Sequence, residues 1–178
     1  MNRSAAERQR ISRLAQLEGN FLESRLPVRA FATLTTPGRL AQHSFDELFS
    51  AWIRGVQAHN RLTIGWIKAE ECAPQRHLHA ALISASSLDC AHAAQLWRFI
   101  AAPRYADAAK VEQFQEGICG LGYVLKSLGS SPDDVQFSPN LAAFASNLKP
   151  VFRTNSAQRR QHRRIMKQIE RAAQHCSL

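Results

Sequence analysis

Apolar and polar residues alternate with changing period along the chain, and each change marks an element. Residues 3–25 are charged throughout, with a weak apolar stripe at Ile11, Leu14 and Leu17 that predicts an N-terminal helix. "VRAFATLTTPGR" then alternates as a strand, with Phe31, Thr33 and Thr35 on one face, and stops at Pro37-Gly38. "SFDELFSAWIRGVQAHN" is the clearest helix: Phe45, Leu48, Phe49, Trp52, Ile53 and Val56 recur at helical spacing behind a capping box of Ser44 and Glu47. "RLTIGWIKAEE" predicts a second strand, "CAPQ" a turn, and "RHLHAALIS" the returning strand of a hairpin. "SSLDCAHAAQLWRFIAA" predicts a helix closed before Pro103, and "KVEQFQE" a short strand. "GICGLGYVLKSLG" predicts a helix striped by Ile118, Leu121, Leu125 and Leu128. A loop with two prolines, a short helix near 139–148 and a basic, helical tail complete the chain.

The order is strand, helix, strand, strand, helix, strand, helix. It predicts an α+β fold, a central antiparallel sheet of about five strands with flanking helices packed on one face. The divisions are an N-terminal helical extension over 1–27, one domain over 28–150, and a basic C-terminal tail over 151–178.

Composition narrows the function classes. No apolar run approaches the roughly 20 residues of a membrane span, and the charged N-terminus has no signal-peptide core. Cys72, Cys90, Cys119 and Cys176 lie far apart, which argues against a disulfide framework and a thiolate zinc site, and a reduced, cytoplasmic setting is expected. The net charge is +9, and between Lys149 and Leu178 eight basic residues against one acid supply +7 of it. Such a block suits a polyanion, because each neutralised phosphate releases counterions; by itself it also suits a solvated basic helix.

The chemistry concentrates in two places. His77 and His79 flank Leu78 at the head of a strand, so both rings point the same way, about 7 Å apart. Two imidazoles so placed can lean onto one metal ion, and "AEE" on the hairpin partner brings a carboxylate beside them. Neighbours on a strand point to opposite faces, so one glutamate alone can join: Glu70 is preferred, with Glu71 the alternative. Two histidines and one carboxylate leave coordination positions open for substrate oxygens.

The second place is Tyr123. With Ile118 at zero and about 100° per residue, the leucines fall between about −80° and 0°, Tyr123 near about 140° and Lys126 near about 80°. Tyr123 therefore points away from the packing stripe, with Lys126 on the same flank. Gly120 and Gly122 leave the helix surface beside it bare, which predicts close approach by something large. A phenol is a poor nucleophile until its anion is stabilised, and a metal and a lysine would do that.

These parts together resemble the HUH endonucleases, in the single-tyrosine replication-initiator (Rep) branch of rolling-circle plasmids and small circular-DNA viruses. "FATLTTP" is similar to the first family motif, a strand with threonines near the DNA; "HLHAALI", with "KAEE" before it, to the second; "YVLK" to the third. The resemblance spans roughly residues 28–130. It implies an RRM/ferredoxin-like sheet, Mg²⁺ or Mn²⁺ held by His77, His79 and Glu70, and attack by Tyr123 on single-stranded or hairpin origin DNA. A 5′-phosphotyrosine and a free 3′-hydroxyl would result, with Lys126 neutralising the phosphate. Thr33, Thr35 and Arg76 would contact DNA. The single tyrosine and its lysine favour the initiator branch over the transposases. The absence of GxxxxGK[ST] implies that a host helicase and polymerase act with a monomer or weak dimer.

Beyond the resemblance, Arg153, Arg159, Arg160, Arg163, Arg164 and Lys167 are expected to track the DNA backbone. Trp66 could stack on a base, although an aromatic in a strand is more often core. Two other functions compete with nicking. One is a non-catalytic nucleic-acid-binding replication regulator of the same fold. The other, a zinc-stabilised module, lacks a fourth nearby ligand.

Overall fold

The computed structural model describes residues 5–36, 42–71, 77–101, 108–115, 120–125 and 135–141. In chain order these form α1 (Ala5–Glu23), β1 (Val28–Thr35), α2 (Gln42–Asn60), β2 (Gly65–Glu71), β3 (His77–Ile83), α3 (Cys90–Ala101), β4 (Ala109–Gln113), α4 (Leu121–Leu125) and β5 (Val135–Phe137), followed by a 3₁₀ turn at Pro139–Leu141. The strands make one antiparallel sheet in the order β4-β1-β3-β2-β5. Its first four strands, with α2 and α3 as the crossovers, have the split βαβ, ferredoxin-like connectivity. The expected α+β class, a five-stranded antiparallel sheet with flanking helices, is therefore what the chain forms. No helix among the described residues is long and apolar enough to cross a membrane.

The helices cover both faces of the sheet, not one. The strands themselves require this. Leu34, Leu78, Ala80 and Leu82 are buried on one side, while Phe31, Ile67, Ala81 and Ile83 are buried on the other. Strands apolar on both faces need cover on both. α2 and α3 close the first face, and α1 with α4 closes the second.

The α2/α3 face is packed with aromatic rings. Trp52 meets Trp97 at 6.0 Å and Phe49 at 5.6 Å, and Phe45 meets Trp97 at 5.9 Å. Both buried indoles find acceptors: Trp52 Nε1–H donates to Ala93 O at 2.8 Å and Trp97 Nε1–H to Thr35 O at 2.9 Å. Trp66 lies on this face too, 5.2 Å from Phe49, so it is core and does not face the histidines. Lys68, also on this face, is buried; its ammonium pairs with Asp46 and sits 4.7 Å from the Phe49 ring and 5.6 Å from Trp66.

At the far end of this layer the α2–α3 corner is polar. The His92 N–H donates to Asp89 Oδ1 at 2.9 Å at the start of α3, and the His59 ring stacks on His92 at 3.6 Å. That backbone donor, with His59 beside it, holds the exposed Asp89 carboxyl below its ordinary value. Cys90, the one cysteine among the described residues, is a free thiol pushed up by burial, an inert environment.

Several boundaries differ from the expectation. α2 begins at Gln42, so Ser44 lies inside the first turn and not at the cap. β2 begins at Gly65, because α2 runs to Asn60 and Arg61 turns the chain with φ of 53°. β5 was expected as loop; three residues are too few for a period-two signal, yet Val135 pairs with Ala69 and Phe137 with Ile67. Of the helix expected near 139–148, only the 3₁₀ turn falls within the described residues, and the C-terminal tail lies outside them.

α1, set apart by its charge as an extension, contributes Ala15 and Leu22 to the second core. Leu17 of its expected apolar stripe is 54% exposed; the buried face instead carries Ala15, Glu18, Gly19 and Leu22. The side chains of Ile11 and Leu14 lie outside the described residues.

Candidate metal and tyrosine site

Register decides which side chains meet. In the β2–β3 ladder Glu71 pairs with His77, Glu70 with Leu78 and Ala69 with His79. Paired residues share a face, so Glu71 joins the histidines and Glu70 points with Leu78 toward the α2/α3 side. The preferred carboxylate is thus corrected from Glu70 to Glu71. The physical reason is the register, which closes the hairpin on Glu71 and His77 as a directly opposed pair and which the sequence alone did not supply.

Glu71 Oε2 lies 3.1 Å from His77 Nε2 and 4.0 Å from His79 Nε2. One ligand atom from each of Glu71, His77 and His79 falls within 4.8 Å of the others, so the three can hold a metal ion. Two neutral imidazoles and a carboxylate are donors suited to a divalent cation and fill half of an octahedral shell. His79 is buried while His77 and Glu71 are half-buried, so the cluster has a fixed inner end and an open outer one.

β1 supplies the floor. Thr33 pairs with His79 and Thr35 with His77, which puts both threonines on the histidine face. The Thr33 hydroxyl is 3.1 Å from His79 Nδ1, and the Phe31 ring stacks on the same imidazole at 5.8 Å and 26°. On the edge strand, Lys110 pairs with Thr33 and so extends this row; its ammonium is 2.9 Å from Glu112.

Tyr123 comes to the same place from α4. Leu121, Gly122, Val124 and Leu125 are buried and Tyr123 is 46% exposed, as the helical spacing predicts. Its ring stands edge-on to His79 at 4.9 Å and to Phe31 at 6.1 Å. Two residues 44 positions apart in sequence, His79 and Tyr123, are thus in ring contact.

The bare glycine surface has an occupant, and it belongs to the chain. A Cβ on Gly19 of α1 would stand 2.6 Å from Gly122 Cα, and a Cβ on Gly122 would meet Gln16 Oε1 at 2.9 Å. Glycine at both positions lets the two helices cross at backbone contact. At the end of α1 the Glu23 carboxylate accepts the Leu121 N–H, satisfying the first turn of α4. Sequence reasoning overlooked Glu23, Gly19 and Lys110, since nothing local marks a pairing between elements so distant.

Lys126, Arg76, Arg153, Arg159, Arg160, Arg163, Arg164 and Lys167 lie outside the described residues.

No family model matches the sequence, and no curated protein matches it. Among solved structures, the crystal structure of the hypothetical protein ORF119 from Sulfolobus islandicus rod-shaped virus 1 is similar at a TM-score of 0.43 and 16% identity, over 68% of this chain and 97% of that one. A likeness at that level carries no argument about this chain.

Proposed function

We propose that the protein is a metal-dependent enzyme that nicks and rejoins single-stranded DNA through Tyr123, as HUH replication initiators do. The supporting observation is the edge-on contact of the Tyr123 ring with His79, at 4.9 Å, beside the Glu71–His77–His79 cluster. The ring is half open to solvent, so its phenol can meet a ligand beside the three groups that could hold a metal.

A bound Mg²⁺ or Mn²⁺ would polarise a phosphate oxygen and draw charge from phosphorus. The protein's own residues do the rest. Tyr123, deprotonated, bonds its phenolic oxygen to phosphorus as the P–O3′ bond breaks. The bonding pair leaves with the 3′ oxygen, which takes a proton and becomes a hydroxyl. The 5′ side stays on the enzyme as a phosphotyrosine, and attack by a 3′-hydroxyl reverses the step and rejoins the strand. His77, His79 and Glu71 would hold that ion, with Lys126 as the cation that neutralises the phosphoryl oxygens. Thr35, Arg76 and the basic tail from Arg153 through Lys167 meet the DNA backbone. A host helicase and polymerase would supply unwinding and synthesis.

Covalent capture tests this. Purified protein is mixed with labelled single strands from its own replicon's origin, with Mn²⁺ or with EDTA, and run on a denaturing gel. A metal-dependent adduct that Tyr123→Phe abolishes is the expected result. An adduct that survives Tyr123→Phe moves the nucleophile elsewhere. Retained DNA with no adduct on any origin strand would favour a binding regulator.

A further inference from the structure

We propose that Thr33 is a positioning residue for the metal site: its hydroxyl accepts the His79 Nδ1–H and so holds the Nε2 lone pair toward Glu71. This rests on the metal reading of the Glu71–His77–His79 cluster. It assigns Thr33 a task other than the DNA contact that its place in the first strand motif implies.

The geometry carries the argument. Thr33 and His79 are directly paired across β1 and β3, and Thr33 Oγ1 is 3.1 Å from Nδ1. The other ring nitrogen, Nε2, is the one on the Glu71 side, 4.0 Å from Oε2. An imidazole ligates a metal as the neutral ring, through the nitrogen without a proton. The two nitrogens then have fixed roles, with Nδ1 the donor and Nε2 the ligand. Thr33 Oγ1, a hydroxyl able to donate or accept, takes the acceptor role in this tautomer and anchors the ring at Nδ1. Threonine suits the task because its branched Cβ restricts χ1 and holds the hydroxyl in place.

Neighbouring contacts fix the plane of the ring as well. Phe31, two residues earlier on the same strand face, stacks on His79 at 26°, while Tyr123 and His77 stand edge-on to it at 82° and 83°. With stacking on its face and a hydrogen bond at Nδ1, the buried ring has one way to turn. His77, half-buried and nearer the strand end, is the more exposed of the pair. The inner ligand is therefore the pre-oriented one, and outer partners of this kind are worth about 10–100-fold in metal affinity.

The test compares the full chain with Thr33→Val, which keeps the shape and removes the hydroxyl, and Thr33→Ser, which keeps the hydroxyl. Mn²⁺ affinity is read from the loss of the free-ion paramagnetic resonance signal. The His79 tautomer is read in metal-free protein from ring ¹⁵N shifts. Binding to single-stranded DNA is read in EDTA. Expected are an Nδ1–H tautomer in the parent, about 10–100-fold weaker Mn²⁺ binding in Thr33→Val, near-parent affinity in Thr33→Ser, and unchanged DNA binding in both. Parent-like Mn²⁺ affinity in a folded Thr33→Val would overturn the inference and leave the metal reading standing. So would lost DNA binding in EDTA with Mn²⁺ affinity intact, which would return Thr33 to the DNA. A parent protein that binds no Mn²⁺ would overturn the metal reading and this inference together.

Discussion

On the face covered by α2 and α3, all three tryptophans and two phenylalanines pack ring against ring, and both fully buried indoles donate to backbone oxygens. On the face covered by α1 and α4, two helices cross at a pair of glycines, and the sheet beneath carries threonine, histidine and glutamate at its end. Bulk on the first face stabilises by burial and shape. Smallness on the second allows close approach, and that approach brings Tyr123 down onto His79. One sheet thus separates a densely packed aromatic face from the face that carries the candidate site. The short strand alternation, one residue up and the next down, is what keeps the two apart.

Removing a ring from the first face should cost most. Trp97 is fully buried against Trp52 and Phe45 and donates to Thr35 O, so Trp97→Ala should destabilise by about 3–5 kcal/mol. Chemical denaturation measures it. At low temperature, where the variant is still folded, Mn²⁺ binding should persist. Loss of binding before unfolding would show that the faces are coupled through Thr35, whose carbonyl Trp97 holds and whose partner across the ladder is His77.

A single substitution made on both faces sharpens the contrast. A Cβ on Gly19 meets backbone of α4, which cannot step aside, while a Cβ on Gly55 of α2 meets the tip of the Leu96 side chain at 2.5 Å, which can rotate. Gly19→Ala should therefore lower stability by about 1–3 kcal/mol through overpacking, roughly 2–12 °C in Tm. Gly55→Ala, which gains about 1 kcal/mol of helix propensity, should be neutral or better. Adduct yield should fall further in Gly19→Ala than its stability explains, because the displaced helix carries Tyr123. Equal melting temperatures in the two variants would mean that the glycine crossing does not set the position of α4.

What could be read from the sequence follows the range of each signal. The aromatic face was legible because Phe45, Phe49, Trp52 and Val56 recur at helical period within one segment. The like orientation of His77 and His79 was legible for the same reason, since spacing within a strand fixes the face. The outward direction of Tyr123 followed from its own helix. The seat of α1 was hard to read because Ala15 and Gly19, two of the residues that pack it beside Leu22, carry little hydrophobic signal, while apolar Leu17 faces solvent. The choice between Glu70 and Glu71 needed the register of a hairpin whose turn, 72–76, lies outside the described residues. A one-residue slip in that turn exchanges the two carboxylates between the faces.

That exchange supplies the comparison at its finest scale, two adjacent glutamates on opposite faces of one strand. Glu71 shares a face with His77 and His79, and Glu70 with Leu78. Removing the charge from Glu71 by Glu71→Gln takes away a ligand, so Mn²⁺ affinity should fall at least about tenfold, or about 1.4 kcal/mol, with little change in thermal stability. Glu70→Gln, equally conservative and one residue away, should leave Mn²⁺ affinity at the parent value. Titration of both variants beside the parent reads the register directly in solution. If Glu70→Gln is the variant that loses the metal, β2 pairs with β3 one residue out of the register described, and Lys68, now buried against Phe49 and Asp46, would turn toward the histidine face. The buried ion pair makes that slip expensive, because a lysine moved without its aspartate leaves an uncompensated charge behind. The same pair that looks incidental on the aromatic face therefore helps hold Glu71, and not Glu70, beside His77 and His79.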